Sequence, residues 1–264
     1  MGTYFADKVI WITGASSGIG EELCKQLDRQ QARLILSARS KDKLEDLSQR
    51  LSPNNHLVLP LDLANSSSFD EAVEQVIAKF GRIDILINNG GLSQRATALE
   101  TSLAVDRQIM EINYFGNVAL TKAVLPFMRK QGGGQFIVMS SIAGKFGFYL
   151  RSAYSASKHA LHGFYESLAL EEADHDIFVT MVCPGKINTN ISVHALNASG
   201  QQHGVLDHNQ ETGMPVDQCV QQILKATERK SKEVLIGNKE ILAVYIKRFL
   251  PKLFWKIIKN QSAT

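Results

Sequence analysis

Val9-Ile10-Trp11-Ile12, followed at once by Thr13-Gly14-Ala15-Ser16-Ser17-Gly18-Ile19-Gly20, is the stretch that decides the fold. Four consecutive apolar residues read as a strand buried on both faces. From Glu21 to Arg29, Leu23 and Leu27 keep helical spacing. Strand, glycine turn and helix in that order aim backbone N–H groups and a helix N-terminus at a pyrophosphate. Glycine allows close backbone approach there and tolerates positive φ. The spacing is G-x-x-x-G-x-G, and no Gly-Lys-Ser/Thr follows, so this is not a Walker loop. Gly14, Ser16, Ser17, Gly18, Ile19 and Gly20 are therefore candidates to cradle a dinucleotide.

The same alternation continues outward. Apolar runs at 8–13, 33–38, 56–60, 83–87, 135–139, 177–183 and 233–237 read as strands. Helical patterns at 18–31, 41–51, 67–79, 102–130, 151–174 and 215–230 lie between them. Near-continuous apolar strands alternating with helices predict a parallel sheet covered on both faces. Ser66, Ser67 or Ser68 is the expected N-cap of the third helix, and Gly132-Gly133-Gly134 a stop before the fifth strand. No repeat, low-complexity tract or linker interrupts residues 1–264, which read as one domain.

The chain has 264 residues, 44% apolar and 21% charged, with a formal charge of +3. That balance is ordinary for a globular protein and argues against nucleic acid as a partner. Cys24, Cys183 and Cys219 are scattered and odd in number, which predicts a reducing compartment and no disulfide framework. The expected location is the cytoplasm. No basic and apolar leader precedes the first strand, so no signal peptide is expected, and no apolar run reaches bilayer length.

Tyr154-Ser155-Ala156-Ser157-Lys158 places a phenol and an ammonium one helical turn apart. A neighbouring ammonium favours phenolate, so the pair predicts a tyrosine tuned below its usual value of about 10 and fit for proton transfer. Arg39, in Ser37-Ala38-Arg39-Ser40, stands just past the second strand, where an acid would hold a ribose 2′-hydroxyl. An arginine there suits a 2′-phosphate, so NADP(H) is expected over NAD(H). His159 and His162 are a turn apart but lack an acid or cysteine at ligand spacing, and no metal is expected.

Together these residues resemble the short-chain dehydrogenase/reductase family, from about Lys8 to about Gly237. The resemblance implies a three-layer doubly wound Rossmann fold with a seven-stranded parallel sheet. It implies cofactor contacts at Gly14, Gly18 and Gly20, at Asp62-Leu63, at Asn89-Gly90-Gly91 and at Pro184-Gly185. Gly90 departs from the family's alanine. It further implies catalytic roles for Asn113, Ser141, Tyr154 and Lys158. Ser140 and Ser141 both qualify by type, and the interval of 13 residues to Tyr154 selects Ser141.

In such a centre Tyr154 would donate the proton and Ser141 would hold the reacting oxygen. Lys158 would lower the Tyr154 pKa and bind the nicotinamide ribose, and Asn113 would order a water leading to Lys158. The reaction implied is hydride transfer between NADP(H) and a carbonyl or secondary alcohol. The family also implies a homodimer or homotetramer packed through helices 102–130 and 151–174.

The stretch 186–214 is the longest without clear regular structure and is expected to close over the substrate. Ile187, Ile191, Val193 and Leu196, with Phe146, Phe148, Tyr149 and Leu150, are candidate walls for an apolar substrate. The tail, 239–260, is basic and amphipathic: from Ile241 to Lys259 there is no acid, and Lys247, Arg248, Lys252, Lys256 and Lys259 interleave with Phe249, Leu253, Phe254, Trp255, Ile257 and Ile258. Pro251 is expected to start a second short helix after a bend at Leu250. Such a helix can lie on an anionic membrane, cap a pocket or pack on another subunit.

The segment Pro184–Ala195 and this tail resemble a dehydrogenase/reductase branch that includes acyl-dihydroxyacetone-phosphate reductase-like proteins and is related to hydroxysteroid dehydrogenases. Members often carry an N-terminal membrane segment, a departure here. The rival readings are a 3-oxoacyl or acyl-dihydroxyacetone-phosphate reductase and a non-catalytic NADP(H) sensor.

Overall fold

The computed structural model describes residues 4–259, so Asn260 of the tail lies outside the described residues. The first half runs β1 (Val9–Thr13), α1 (Gly18–Asp28), β2 (Arg33–Ser37), α2 (Lys41–Ser48), β3 (His56–Val58), α3 (Phe69–Phe80), β4 (Ile85–Asn88), α4 (Leu103–Met110) and α5 (Gly116–Lys130). The second half runs β5 (Gly134–Met139), α6 (Ser152–Glu171), β6 (Ile177–Pro184), α7 (His208–Glu211), α8 (Val216–Glu228), β7 (Glu233–Ile236), α9 (Leu242–Phe249) and α10 (Pro251–Ile258).

The sheet has seven strands in the order β3-β2-β1-β4-β5-β6-β7, and every pairing is parallel. Parallel neighbours require crossovers, and helices on both faces bury the sheet. Alternation along β1 shows the two layers. Ile10 and Ile12 pack with Leu23 and Leu27 of α1 and Val220 and Ile223 of α8. Val9 and Trp11 pack with Val73 of α3, Leu120 of α5 and Leu161 of α6. Trp11 is fully buried, and its indole N–H donates to Ser37 Oγ at 2.8 Å, which donates to Leu59 O at 2.7 Å, so the one polar atom of that ring is satisfied.

Strand order reverses between β1 and β4. That switch point opens a crevice at the carboxyl ends of the strands. Ser68 takes the N-cap position of α3, as expected, but its side chain makes no cap bond; the side-chain cap comes one short 3-10 turn (Ser66–Ser68) earlier, where Asn65 Oδ1 accepts from Ser67 N at 3.2 Å. Two local expectations are corrected. The single helix read over 102–130 is broken by a π turn, Glu111–Phe115, centred on Asn113. The first helix ends at Asp28 rather than near residue 31, and Gln31 turns with φ 62°.

Candidate active site

The glycine turn after β1 is held from β4. Asn89 Nδ2 donates to Thr13 O at 2.9 Å and Gly14 O at 3.3 Å, and Thr13 Oγ1 accepts from Asn89 N and Gly90 N at 3.0 Å each. Asn89 thus braces the turn with its side chain, besides lining the groove. Gly14 adopts φ 66°, and a Cβ on Gly20 would stand 2.1 Å from Gly14 O. Turn and helix therefore pass too closely for any side chain. The resulting groove is bounded by Gly14, Ser16, Ser17, Gly18 and Ile19 on one side, and by Asp62, Leu63, Asn89, Gly90 and Gly91 on the other. Arg39, exposed, stands at its far end with Ser40 and Lys43. This cradle fits an extended dinucleotide: small turn residues at its centre and a guanidinium at its far end.

The other end opens into a second cavity that shares Ile19, Asn89, Gly91, Thr189 and Ile191 with the groove. Ser141, Tyr154, Lys158, Pro184 and Gly185 line it. Asn113 lies behind, fully buried, with its amide spent on Leu92 N (2.7 Å), Leu92 O (2.9 Å) and Ser157 Oγ (3.0 Å). A Cβ on Gly91 would approach Asn113 Oδ1 to 3.0 Å and Lys158 Nζ to 3.5 Å, so these three converge. The Asn113 backbone carbonyl accepts from Asn117 Nδ2 at 2.8 Å.

The two adjacent serines part company. Ser140 Oγ meets His162 Nε2 at 3.0 Å and is buried, whereas Ser141 lines the cavity beside Tyr154 and favours its phenolate. Ser141 Oγ is also anchored by Ala143 N at 3.1 Å and donates to Pro184 O at 3.3 Å.

Charge at the centre differs from the sequence expectation. Burial raises the Tyr154 pKa above its usual value. The opposing pull comes from the Ser141 hydrogen bond and then from Arg151 and Arg95. Lys158 instead donates to Met139 O at 2.7 Å, its Nζ 5.7 Å from the centre of the Tyr154 ring. Burial pushes Lys158 itself down to about 8, with the Cys183 thiol partly opposing.

Sequence reasoning missed three supports of this site. Gln94 Oε1 accepts from Ala153 N at 2.9 Å and Tyr154 N at 3.5 Å, satisfying donors at the start of α6. Arg95 and Asp207 form a buried ion pair, Nε to Oδ2 at 2.7 Å, that ties the 186–214 stretch to the cavity wall. Arg151 reaches the same carboxylate oxygen at 3.5 Å. A partial signal existed: Arg151 is a charge directly after the apolar run Phe148-Tyr149-Leu150 and three residues before Tyr154.

The candidate walls separate. Ile187, Ile191 and Phe148 line the cavity. Leu196 instead packs with Val105, Ile109 and Ala153, and Phe146 is buried against Ile142 and Phe254. Val193 and Leu150 are absent from the lining, and Tyr149 is 67% exposed. His159 Nδ1 meets Ser155 O at 2.8 Å, away from His162. His162 lies near Cys183 and Glu233, but Lys145 Nζ faces its Nδ1 at 3.4 Å and bonds Glu233, so a cation already serves that cluster.

In the tail, Pro251 opens α10 and Phe254 packs on Phe146, ring centroids 5.1 Å apart, behind the cavity-lining Phe148. No helix among the described residues is long and apolar enough to cross a membrane.

Comparison with known proteins agrees with this geometry. The family description "short chain dehydrogenase" matches residues 8–200. Dehydrogenase/reductase SDR family member 7B of Xenopus tropicalis is 40% identical over 271 residues, covering 99% of this chain and 87% of the relative. Dehydrogenase/reductase SDR family protein 7-like of Drosophila melanogaster is 43% identical over 262 residues, 97% of this chain and 80% of the relative. A short-chain dehydrogenase from Streptomyces avermitilis superimposes with TM-score 0.81 at 28% identity, over 96% of each chain. A Burkholderia phymatum short-chain dehydrogenase/reductase, solved in complex with NAD, gives 0.84 at 19% identity over 96% of each, a likeness of fold. With that breadth of match and a groove that runs into the cavity lined by Tyr154, this chain belongs to the short-chain dehydrogenase/reductase family and is an oxidoreductase acting on CH–OH donors.

Proposed function

We propose that the chain is an NADP(H)-dependent reductase or dehydrogenase of a carbonyl or secondary alcohol with an apolar body. The observation that carries this is Ser141, Tyr154 and Lys158 together on the wall of a cavity that shares lining residues with the groove that fits a dinucleotide. Gly14, Gly18, Asp62, Asn89, Gly90, Gly91, Pro184 and Gly185 hold the dinucleotide, Arg39 its 2′-phosphate and Lys158 its nicotinamide ribose. Bound there, the cofactor supplies or takes up the hydride.

In the reducing direction, negative charge grows on the carbonyl oxygen. Tyr154 gives that oxygen its phenolic proton, and Ser141 holds it by a hydrogen bond that strengthens as the charge develops. The raised Tyr154 pKa keeps the phenol protonated before transfer, and Arg151 and Arg95 ease the phenolate that follows. Lys158, held by Met139 O, stands ready to pass a proton back, through water at the Asn113 carbonyl. Ile187, Ile191 and Phe148 favour an apolar substrate body.

A cytoplasmic protein with three free cysteines and a homo-oligomer packed through α4–α6 belong to the same proposal. Leu103 of α4, Phe115 of the π turn that follows it and Leu170 of α6 leave apolar surface exposed there. The test is oxidation of NADPH and NADH by wild type and Tyr154→Phe across a panel of carbonyls. NADPH-dependent turnover reduced by about a hundredfold or more in the variant is expected. Preference for NADH, or full activity in Tyr154→Phe, overturns the reading.

A further inference from the structure

The chain leaving β6 forms part of the cavity wall. Pro184, Gly185 and Lys186 all line it, and Pro184 O accepts from Ser141 Oγ at 3.3 Å. The neighbouring strand β7 ends at Ile236, opposite Pro184. Gly185 N still donates to Ile236 O at 2.7 Å, but one residue further the strand has gone. The N–H of Lys186 therefore has no strand carbonyl to meet, and a backbone donor shielded from water needs an acceptor.

Glu240 supplies it. Its Oε1 accepts from Lys186 N at 2.9 Å and from Asn238 N at 3.1 Å. Two glycines make room for the carboxylate. A Cβ on Gly185 would stand 3.0 Å from Glu240 Cδ, and one on Gly237 would stand 2.5 Å from Oε1. Neither glycine takes a positive φ, so the close approach of Glu240, not backbone conformation, is what asks for the missing side chains.

Glu240 lines neither the groove nor the cavity. It is the last acidic residue of the chain and sits in the 3-10 turn Lys239–Ile241 between β7 and α9. The tail anchors it: Ile241 packs on the cluster of Ile142, Phe146 and Phe254, and Lys247 Nζ donates to Lys145 O at 2.6 Å. The carboxylate thus holds the turn from behind, by the stronger, charge-assisted kind of hydrogen bond. Arg39 stands at the opposite end of the groove, so the end that meets this turn and Tyr154 is the one for the hydride-carrying ring.

We propose that Glu240 is a positioning residue, fixing the Pro184–Lys186 turn where it meets the nicotinamide half of the cofactor. This rests on the reading of Pro184 and Gly185 as cofactor contacts, and it adds a residue from the tail that touches neither cofactor nor substrate.

The test compares, by calorimetry on the full chain, binding of NADPH and of 2′-phospho-ADP-ribose, the same molecule without the nicotinamide ring. Wild type is expected to bind NADPH the tighter. Glu240→Ala is expected to weaken NADPH by about tenfold, the scale of one hydrogen bond to a charged group, and to leave the fragment's affinity unchanged. Glu240→Gln, which keeps an oxygen acceptor, recovers most of the loss. Gly237→Ala reproduces the Glu240→Ala result by another route, since its methyl group displaces the carboxylate without touching groove or cavity.

A partly unfolded variant lowers the stoichiometry of both titrations and leaves the ratio of the two affinities readable. A loss shared equally by NADPH and the fragment marks a structural brace and overturns the proposal. So does wild-type NADPH affinity in Glu240→Ala. Failure of the underlying reading shows itself differently, as wild type binding NADPH no tighter than the fragment, which removes the nicotinamide from this turn.

Discussion

Replacing Lys158 by methionine tests the energetics of the active centre most directly. The folded protein holds this ammonium 4% exposed and depresses its pKa from 10.5 to about 8, with burial as the main cause. A basic group with a depressed folded pKa costs stability wherever the unfolded chain would be protonated. Above about pH 8 and up to about 10.5 the unfolded state binds the proton more tightly, so this cost fades as pH rises. Below about pH 8 it is present in full, about 3 kcal/mol from the size of the shift. Methionine fills a similar space without charge. It gives up the 2.7 Å bond to Met139 O, at about 1–3 kcal/mol for the orphaned carbonyl.

The net effect at pH 7 is therefore small or mildly stabilising, and its sign decides little. The pH dependence decides. Relative to wild type, Lys158→Met should lose about 2–3 kcal/mol of its advantage between pH 7 and pH 10. Urea unfolding of both proteins, free of cofactor, at several pH values in that window measures the difference. Titrations of Tyr154 and the cysteines are common to both proteins and cancel to first order. A difference that stays flat across the window would refute the burial argument and show that Lys158 is solvated.

Three further outcomes are expected. Gly20→Ala would place a Cβ 2.1 Å from the backbone oxygen of Gly14, so the turn must open; loss of NADPH binding by fluorescence titration, with a lowered melting temperature, is the outcome, and wild-type binding contradicts it. Phe254→Ala removes a 1% exposed ring wedged on Phe146 and should cost about 3 kcal/mol in urea unfolding; a change below about 1 kcal/mol would show that the tail is not docked there. Arg39→Asp should raise the KM for NADPH by about tenfold to a hundredfold while leaving NADH use equal or better, and a uniform loss with both cofactors would argue against a phosphate contact.

The fold was legible because parallel strands buried on both faces are written as unbroken apolar runs. Val9–Ile12 is such a run and Ile177–Pro184 nearly so, with Thr180 its one interruption, and the glycine turn between β1 and α1 fixes which end of the sheet carries the crevice. Long-range bonds were not legible. Periodicity across 102–130 reports one helix, yet Asn113 bonds to the backbone of Leu92, 21 residues upstream, where the helix widens into the π turn Glu111–Phe115. Arg95 and Asp207 are 112 residues apart, and nothing local to either announces the other. The Tyr154–Lys158 pair shows the limit from the other side. Spacing correctly put both on one helix face, but the sign of a pKa shift depends on burial, which spacing does not encode.

Burial and charge are set against each other throughout this site. Lys158 is held below its ordinary pKa and Tyr154 above its own, so each resists the charged form that catalysis would ask of it. Arg151 is likewise pushed down to about 10, with burial first among the causes and Arg95 next. Two cationic side chains beside one another in low dielectric, with Asp207 as their shared counterion, raise the free energy of the protein. Such an arrangement persists when the same field is useful in the bound state. On the proposed reading, the cationic field of Arg151 and Arg95 lowers the cost of negative charge arriving on Tyr154. Desolvation that costs the folded protein stability would then act as electrostatic preorganisation toward the reacting oxygen.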